Sequence, residues 1–381
     1  MQHSPTLWPN PAAIIRRLQP EDPVMVFAPD VLRAAARRFL DGFPGLVTYA
    51  VKSNPDAALI RTLVAAGIRG FDVASPVEID LITRLAPGAA RHYHNPVRAP
   101  AEIAHGVKAG VKAWSVDSIT ELEKLFAQVP VAADCEISPR FKLPVAGAAY
   151  DFGAKFGATP EVAADLLRAV AQRGYRPSLT FHPGTQCTDP AAWETYIRTA
   201  RAIADMAGAR PARLNVGGGF PSHRVTGVEP DLQAIFSLIA TTAAEAFDGN
   251  PPELVCEPGR GLCADAFALI TRVKALRDGK AVFLNDGVYG ALSEIPLIGN
   301  LGRIAVLAPD GTPRMAEVEP RTVFGPTCDS VDRLPGDLPL PGDLEEGDFI
   351  VFQGVGAYSS ATATRFNGFG NLVTLTALAL E

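Results

Sequence analysis

From about residue 24 to 266 the chain alternates short apolar runs with longer Ala-, Leu- and Arg-rich stretches, and this alternation restricts its fold more than any other feature. Such a pattern predicts strand–helix repetition around a parallel sheet. Candidate strands stand at 46–51, 70–74, 91–94, 112–116, 135–141, 178–181, 213–216 and 254–256, with helical stretches such as 57–66, 77–85 and 160–173 between them. Eight repeats suggest a closed (β/α)8, TIM-like barrel. After about residue 267 the pattern changes to short runs separated by Gly and Pro, at 266–273, 281–285, 303–307, 315–324, 348–353 and 372–378. A Pro- and Gly-rich surface loop is expected at 334–342. The expected α/β organisation is a barrel over 24–266 and a second, mostly β domain over 267–381, with segment 1–23 packing nearby.

Composition narrows the function. At 381 residues the chain exceeds the size at which single cores stop growing, and 48% hydrophobic with 20% charged residues is ordinary for a globular protein. A net charge of −6 leaves no basic footprint for nucleic acid or an anionic membrane. No stretch approaches the roughly 18 apolar residues of a membrane span, and the start lacks a basic region followed by an apolar core, so a cytoplasmic location is expected. The five cysteines are odd in number and form no CxxC pair, so neither a disulfide framework nor a metal site is expected. Small-molecule chemistry remains.

Polar or glycine residues stand at the ends of nearly all the barrel runs: Lys52, Asp72, Asn95, Asp117, Arg140, His182, Gly217-Gly218-Gly219 and Glu257. In such barrels the C-terminal rim is where active sites are built. Lys52 ends an apolar run, where desolvation would turn an ammonium into a nucleophile able to form a Schiff base with an aldehyde; a lysine snorkelling from a strand end is the alternative. The glycine run can present several N–H donors to a phosphate, or can simply be a turn. In Glu257-Pro258-Gly259-Arg260, Arg260 can fork onto that phosphate and Glu257 can face a heterocyclic nitrogen, or the two can pair as ions. His182-Pro183-Gly184-Thr185 offers an imidazole and, three residues on, a hydroxyl. His92 and His94 share a strand face as a metal pair would, but no third ligand stands at a telling spacing, and core- or solvent-facing roles are expected. In the second domain Cys328, in Gly325-Pro326-Thr327-Cys328-Asp329, is flanked by turn formers and charge, as suits a catalytic thiol. Tyr358 follows the glycine-rich bend Gly354-Val355-Gly356.

These motifs, in this order and spacing, resemble the fold-type III pyridoxal-phosphate (PLP) decarboxylases of ornithine, lysine and diaminopimelate. Matching segments run from 49–55 through 70–78, 182–186, 217–221, 257–260, 285–290 and 325–332 to 354–358. The resemblance implies Lys52 as the cofactor's covalent anchor, supported by Asp72 and Glu78, with His182 stacked on the ring and Arg140 near it. It implies Glu257 at the pyridine nitrogen, and Thr185, Gly218, Gly219, Gly259, Arg260 and Tyr358 around the phosphate. Cys328 would be the proton donor, and with Asp329 would reach across a homodimer into the partner's site; Tyr289 and Asp329 would meet substrate. The implied reaction is decarboxylation of a basic L-amino acid, ornithine or lysine, to a diamine and CO2, supplying polyamine synthesis, with the cofactor as electron sink. A derivatised diamino acid as substrate, a racemase of the same fold and a silent regulator resembling the antizyme inhibitors are the alternatives. One departure bears on substrate: Leu297-Ile298 stand where ornithine decarboxylases carry a Tyr-Asp pair that receives the distal ammonium, and Glu294 could compensate.

Overall fold

The computed structural model describes residues 6–143 and 155–381. Leu46–Ala50, Gly70–Val73, Ala90–Tyr93, Ala113–Val116, Glu136–Pro139, Arg176–Thr180, Arg213–Asn215 and Glu253–Cys256 form a closed barrel. Every pairing is parallel, and the eighth strand returns to the first through Val255 opposite Leu46 and Cys256 opposite Val47. Local chemistry starts the surrounding helices. Asp56, Ser75, Ser118, Thr159 and Asp231 each accept a first-turn N–H, supplying a partner that the helix itself cannot. Helix Ala57–Ala66 stops at Gly67, whose φ of 110° is costly for any residue with a Cβ. Apolar faces such as Leu59, Ile60 and Leu63 are fully buried, and this burial rather than intrinsic propensity secures helices of this length.

The chain divides into two compact units. Ala36–Pro221 with Pro230–Gly259 forms the barrel unit, and Met1–Ala35, Ser222–Glu229 and Arg260–Glu381 form the other. In the second unit Phe267–Arg277 pairs antiparallel with Val24–Phe27, Ala281–Leu284 and Phe349–Gln353 within a nine-stranded sheet. Val24–Phe27, expected from the sequence at the start of the barrel, thus lies in this sheet, held on its other side by Val373–Ala377. All its residues are buried. An apolar run buried on both faces carries no alternation to say which sheet it joins. Part of the expected loop at 334–342 is also a strand, Leu338–Pro341, antiparallel to Val318–Phe324. Its buried Leu338 and Leu340 alternate with prolines, which an edge strand tolerates. Among the described residues no helix is long and apolar enough to cross a membrane.

Candidate active site

Lys52 sits on the short 3-10 turn Val51–Ser53 directly after the first barrel strand. The turn is held by Ser53, whose hydroxyl donates to the Ala50 carbonyl at 2.8 Å, and by Tyr49, whose hydroxyl donates to the Asn54 carbonyl at 2.9 Å. The Lys52 Nζ lies 3.7 Å from Asp72 Oδ2, on the next strand. The desolvation expected of Lys52 is not present: its side chain is 45% exposed, whereas that of Asp72 is 4% exposed. The lysine is thus partly exposed while its partner stays buried. Burial, and then the charge of Glu257, push the Asp72 carboxyl up to about 7 against the opposing pull of Lys52 and His94. Glu78 accepts the Ala74 N–H at 2.7 Å from the first turn of its helix; burial raises its carboxyl, while that hydrogen bond and Lys52 oppose the rise.

Glu257 follows the eighth strand and is 9% exposed. Its Oε1 accepts from Asn215 Nδ2 at 2.5 Å and is joined by a short contact to His94 Nδ1. Burial alone would raise this carboxyl, but the charge and hydrogen bond of His94, with Lys52 and Asn215, hold it well below the usual carboxylate range. Glu257 is therefore an ionised carboxylate in a buried wall. His182 is its neutral counterpart: burial, Arg140 and Lys52 push its imidazole down to about 3. Its Nδ1 accepts the Gly184 N–H at 3.1 Å, which leaves the remaining ring proton on Nε2. Burial also lowers Arg140, against the charges of Glu257, Asp117 and Asp72 that favour its cation.

The glycine loop is required sterically. Gly217 and Gly219 have φ of 71° and 84°, and a Cβ would come within 2.2 Å of the Phe181 carbonyl at the first and 2.1 Å of the Gly184 carbonyl at the second. A Cβ on Gly218 would lie 2.8 Å from the Glu257 carbonyl and 3.2 Å from His182 Nε2, and one on Gly259 would lie 2.9 Å from Ser53 Cβ. The barrel unit thus gathers Lys52, Asp72, Arg140, His182, Gly218 and Glu257 on one rim, with Thr185 following the His182 turn.

The remaining expected residues lie in the second unit. Arg260 opens the helical turn Arg260–Cys263, stands 5.3 Å from the Tyr358 ring centroid, and is bound through both terminal nitrogens by Glu294. Glu294, expected from the sequence as a substitute distal-amine acceptor, has both oxygens committed to that arginine. Tyr358 itself is in the left-handed region at φ 56°. Cys328 is exposed, with its Sγ 3.2 Å from Asn367 Oδ1. The Tyr289 hydroxyl donates to Asp329 Oδ2 at 2.6 Å, and this bond keeps the Asp329 carboxyl below its ordinary value. Asp332 joins the two segments that carry these residues, accepting from the Val288 N–H at 2.9 Å and the Thr327 hydroxyl at 2.7 Å.

His94 is the residue that sequence reasoning missed. Expected to be a core or solvent histidine, it is 8% exposed and directly paired with Glu257. With Asp72 it brings three potential ligand atoms within 4.8 Å of one another. The strand position and the His92–His94 alternation were visible in sequence; the partner, 163 residues away, was not.

A closed barrel whose rim presents a lysine, buried acids, a neutral imidazole and a glycine loop has groups that suit an aldehyde-bearing, anionic heterocycle. Residues 30–264 match the family model for the pyridoxal-binding domain of pyridoxal-dependent decarboxylases. The chain is 34% identical over 380 residues to the ornithine decarboxylase of Panagrellus redivivus, covering 92% of this chain and 84% of that protein. Among solved structures it resembles the arginine decarboxylase of Paramecium bursaria Chlorella virus, with a TM-score of 0.84 and 25% identity over 95% of this chain and 98% of that one. It also resembles a Vibrio vulnificus lysine/ornithine decarboxylase complexed with cadaverine, with a TM-score of 0.78 and 30% identity over 93% and 94% of the two chains. The chain belongs to the fold-type III PLP-dependent decarboxylases. It is a PLP-dependent amino-acid decarboxylase. The barrel residues fit that cofactor: Lys52 offers an amine for its aldehyde, and Glu257 offers a buried carboxylate held low as a counter-charge for a protonated ring nitrogen.

Proposed function

We propose that this enzyme decarboxylates a basic L-amino acid, ornithine or lysine, to the corresponding diamine. The observation that carries this substrate class is Asp329, kept ionised by the Tyr289 hydroxyl at 2.6 Å and thus suited to a distal ammonium. Leu297 and Ile298 carry no carboxylate and Glu294 is bonded to Arg260, so of the acids considered from the sequence for this role Asp329 is the one that remains. A derivatised diamino acid, racemisation and a silent regulator have no comparable observation in their favour.

PLP, when bound, supplies the electron sink that makes loss of CO2 feasible. Lys52 would anchor it at the rim, with Asp72 and Glu78 beside that nitrogen. Glu257 would keep the ring nitrogen protonated, His182 would lie against the ring as a neutral imidazole, and Arg140 would stand near it. Thr185, Gly218, Gly219, Gly259, Arg260 and Tyr358 would receive the phosphate. Cys328 delivers the proton to the substrate's Cα, and Tyr289 orients Asp329. The assembly is a cytoplasmic homodimer in which Cys328 and Asp329 of one chain serve the Lys52 site of the other. The exposure of Cys328 supports this arrangement. A screen of L-amino acids for CO2 release, with identification of the amine product, tests the proposal; turnover of ornithine or lysine is expected. Exclusive turnover of a neutral or acidic amino acid would overturn it.

A further inference from the structure

Glu257 Oε1 is shared by two groups, and their geometry fixes which atoms carry protons. Asn215 Oδ1 accepts the Gly217 N–H at 2.9 Å, so its amide nitrogen is the end that faces Glu257. That nitrogen is also 3.1 Å from His94 Nδ1. A carboxylate oxygen can only accept, so the short contact from His94 requires a proton on Nδ1. The Asn215 amide then donates to Glu257 alone. The other ring nitrogen, Nε2, is buried without a hydrogen-bond partner among the described residues. A proton there is held by charge and can leave without breaking a hydrogen bond.

We propose that His94 is a positioning residue for the ring-nitrogen carboxylate: Nδ1–H locks Glu257 in place, and the Nε2 proton balances its charge until a cofactor cation takes over that role. The inference rests on the proposed pairing of Glu257 with the pyridine nitrogen. In the cofactor-free enzyme an imidazolium neutralises Glu257 inside the barrel wall. When a protonated ring nitrogen joins the same carboxylate, two cations would share one anion in a desolvated site, and His94 discharges its Nε2 proton to solvent. The Nδ1–H bond survives, so Glu257 keeps its orientation while the charge is exchanged.

The groups around His94 are consistent with this exchange. Glu257 follows the eighth strand, Asp72 lies on the second, Glu136 on the fifth and His92 on the third, just before His94. Burial alone would discharge His94, but Glu257 by charge and hydrogen bond, with Asp72 and Glu136, carries it above 6.5. His92 cannot take the proton, because burial and the neighbouring His94 push it down to about 3. Glu136 is already paired with Arg213 at 3.0 Å. Asp72, at about 7, titrates in the same range and must be separated from His94.

The test is 15N NMR of histidine-labelled protein, with His94 assigned among the six histidines through His94→Gln. In cofactor-free enzyme His94 should titrate above 6.5 with Nδ1 protonated throughout. Two changes should each lower that pKa by about one unit or more: Glu257→Gln, and fixing PLP on the wild-type enzyme with borohydride. Asp72→Asn should move it less. An unchanged His94 titration on loading, or one indifferent to Glu257→Gln, would overturn the inference; if the Glu257 variant does not fold, the wild-type loading comparison decides. Failure of PLP to attach to Lys52 would instead overturn the cofactor assignment, while the cofactor-free titration would still report on the His94–Glu257 pair.

Discussion

The two clusters of functional residues differ in how far each is solvated. In the barrel, Asp72 and Glu257 are 3% and 9% exposed; burial raises the Asp72 carboxyl, while His94 and Asn215 hold Glu257 low against its burial. In the second unit Cys328 is exposed, and Asp329 is set by the Tyr289 hydroxyl and the Val331 N–H. Electrostatics act weakly in water and strongly in a desolvated wall. The buried acids of the barrel rim are therefore fixed by their neighbours, whereas Cys328 and Asp329 stand in water. The proposed division of labour, in which the barrel holds the cofactor and the second cluster handles substrate and proton, accords with that difference.

That division can be broken most directly at Lys52. Lys52→Ala should abolish borohydride-fixed cofactor and lower CO2 release by roughly a thousandfold or more; recovery of the label on another lysine would remove the anchor from this rim. Cys328→Ala should keep the cofactor's visible absorption but lower turnover by roughly a hundredfold or misplace the proton, read by product analysis in deuterated water. Mixing the two inactive variants sharpens the comparison. If the clusters meet across a homodimer, random re-association restores about a quarter of all sites. No recovery despite demonstrated subunit exchange would place both residues in one chain's site. Tyr289→Phe frees Asp329 from its hydroxyl partner and should raise KM for the diamino acid several-fold, about 1 kcal/mol, with little change in kcat.

The smallest effect is on stability. The folded-state pKa of Asp72 is about 7 against a reference of 3.8, so the folded protein binds the proton more tightly than the unfolded chain. That contribution is complete below 3.8 and is lost as pH rises through about 7. Relative to wild type, cofactor-free Asp72→Asn should gain thermal stability as pH is raised from 5 to 8, measured by paired melting curves. A difference that runs the other way would mean that Lys52 dominates the Asp72 environment.

Legibility in sequence followed the range of the interaction. Helix 57–66 was visible to the residue because Asp56 caps it and Gly67 ends it within the same segment. Lys52, His182, the glycine loop and Glu257 were visible because a barrel strand must turn polar where it leaves the core. Lys52's exposure was not, since a side chain at a strand end can lie in the wall or in the mouth with the same neighbours in sequence. Glu294 reads in sequence as a spare carboxylate near the substrate, yet Arg260, 34 residues earlier, claims it.

By itself, then, the sequence determined the repeating strand–helix order, the residues that end each strand, and the glycines whose backbone no other residue can adopt. These are local consequences of alternation, capping and steric exclusion. Tertiary structure decided which sheet took Val24–Phe27, since an apolar strand buried on both faces suits either. It also decided that His94 would meet Glu257 and that Asp72 would hold its proton to about 7. Those outcomes depend on strands distant in sequence closing into one ring, where desolvation and charge act across the barrel rather than along the chain.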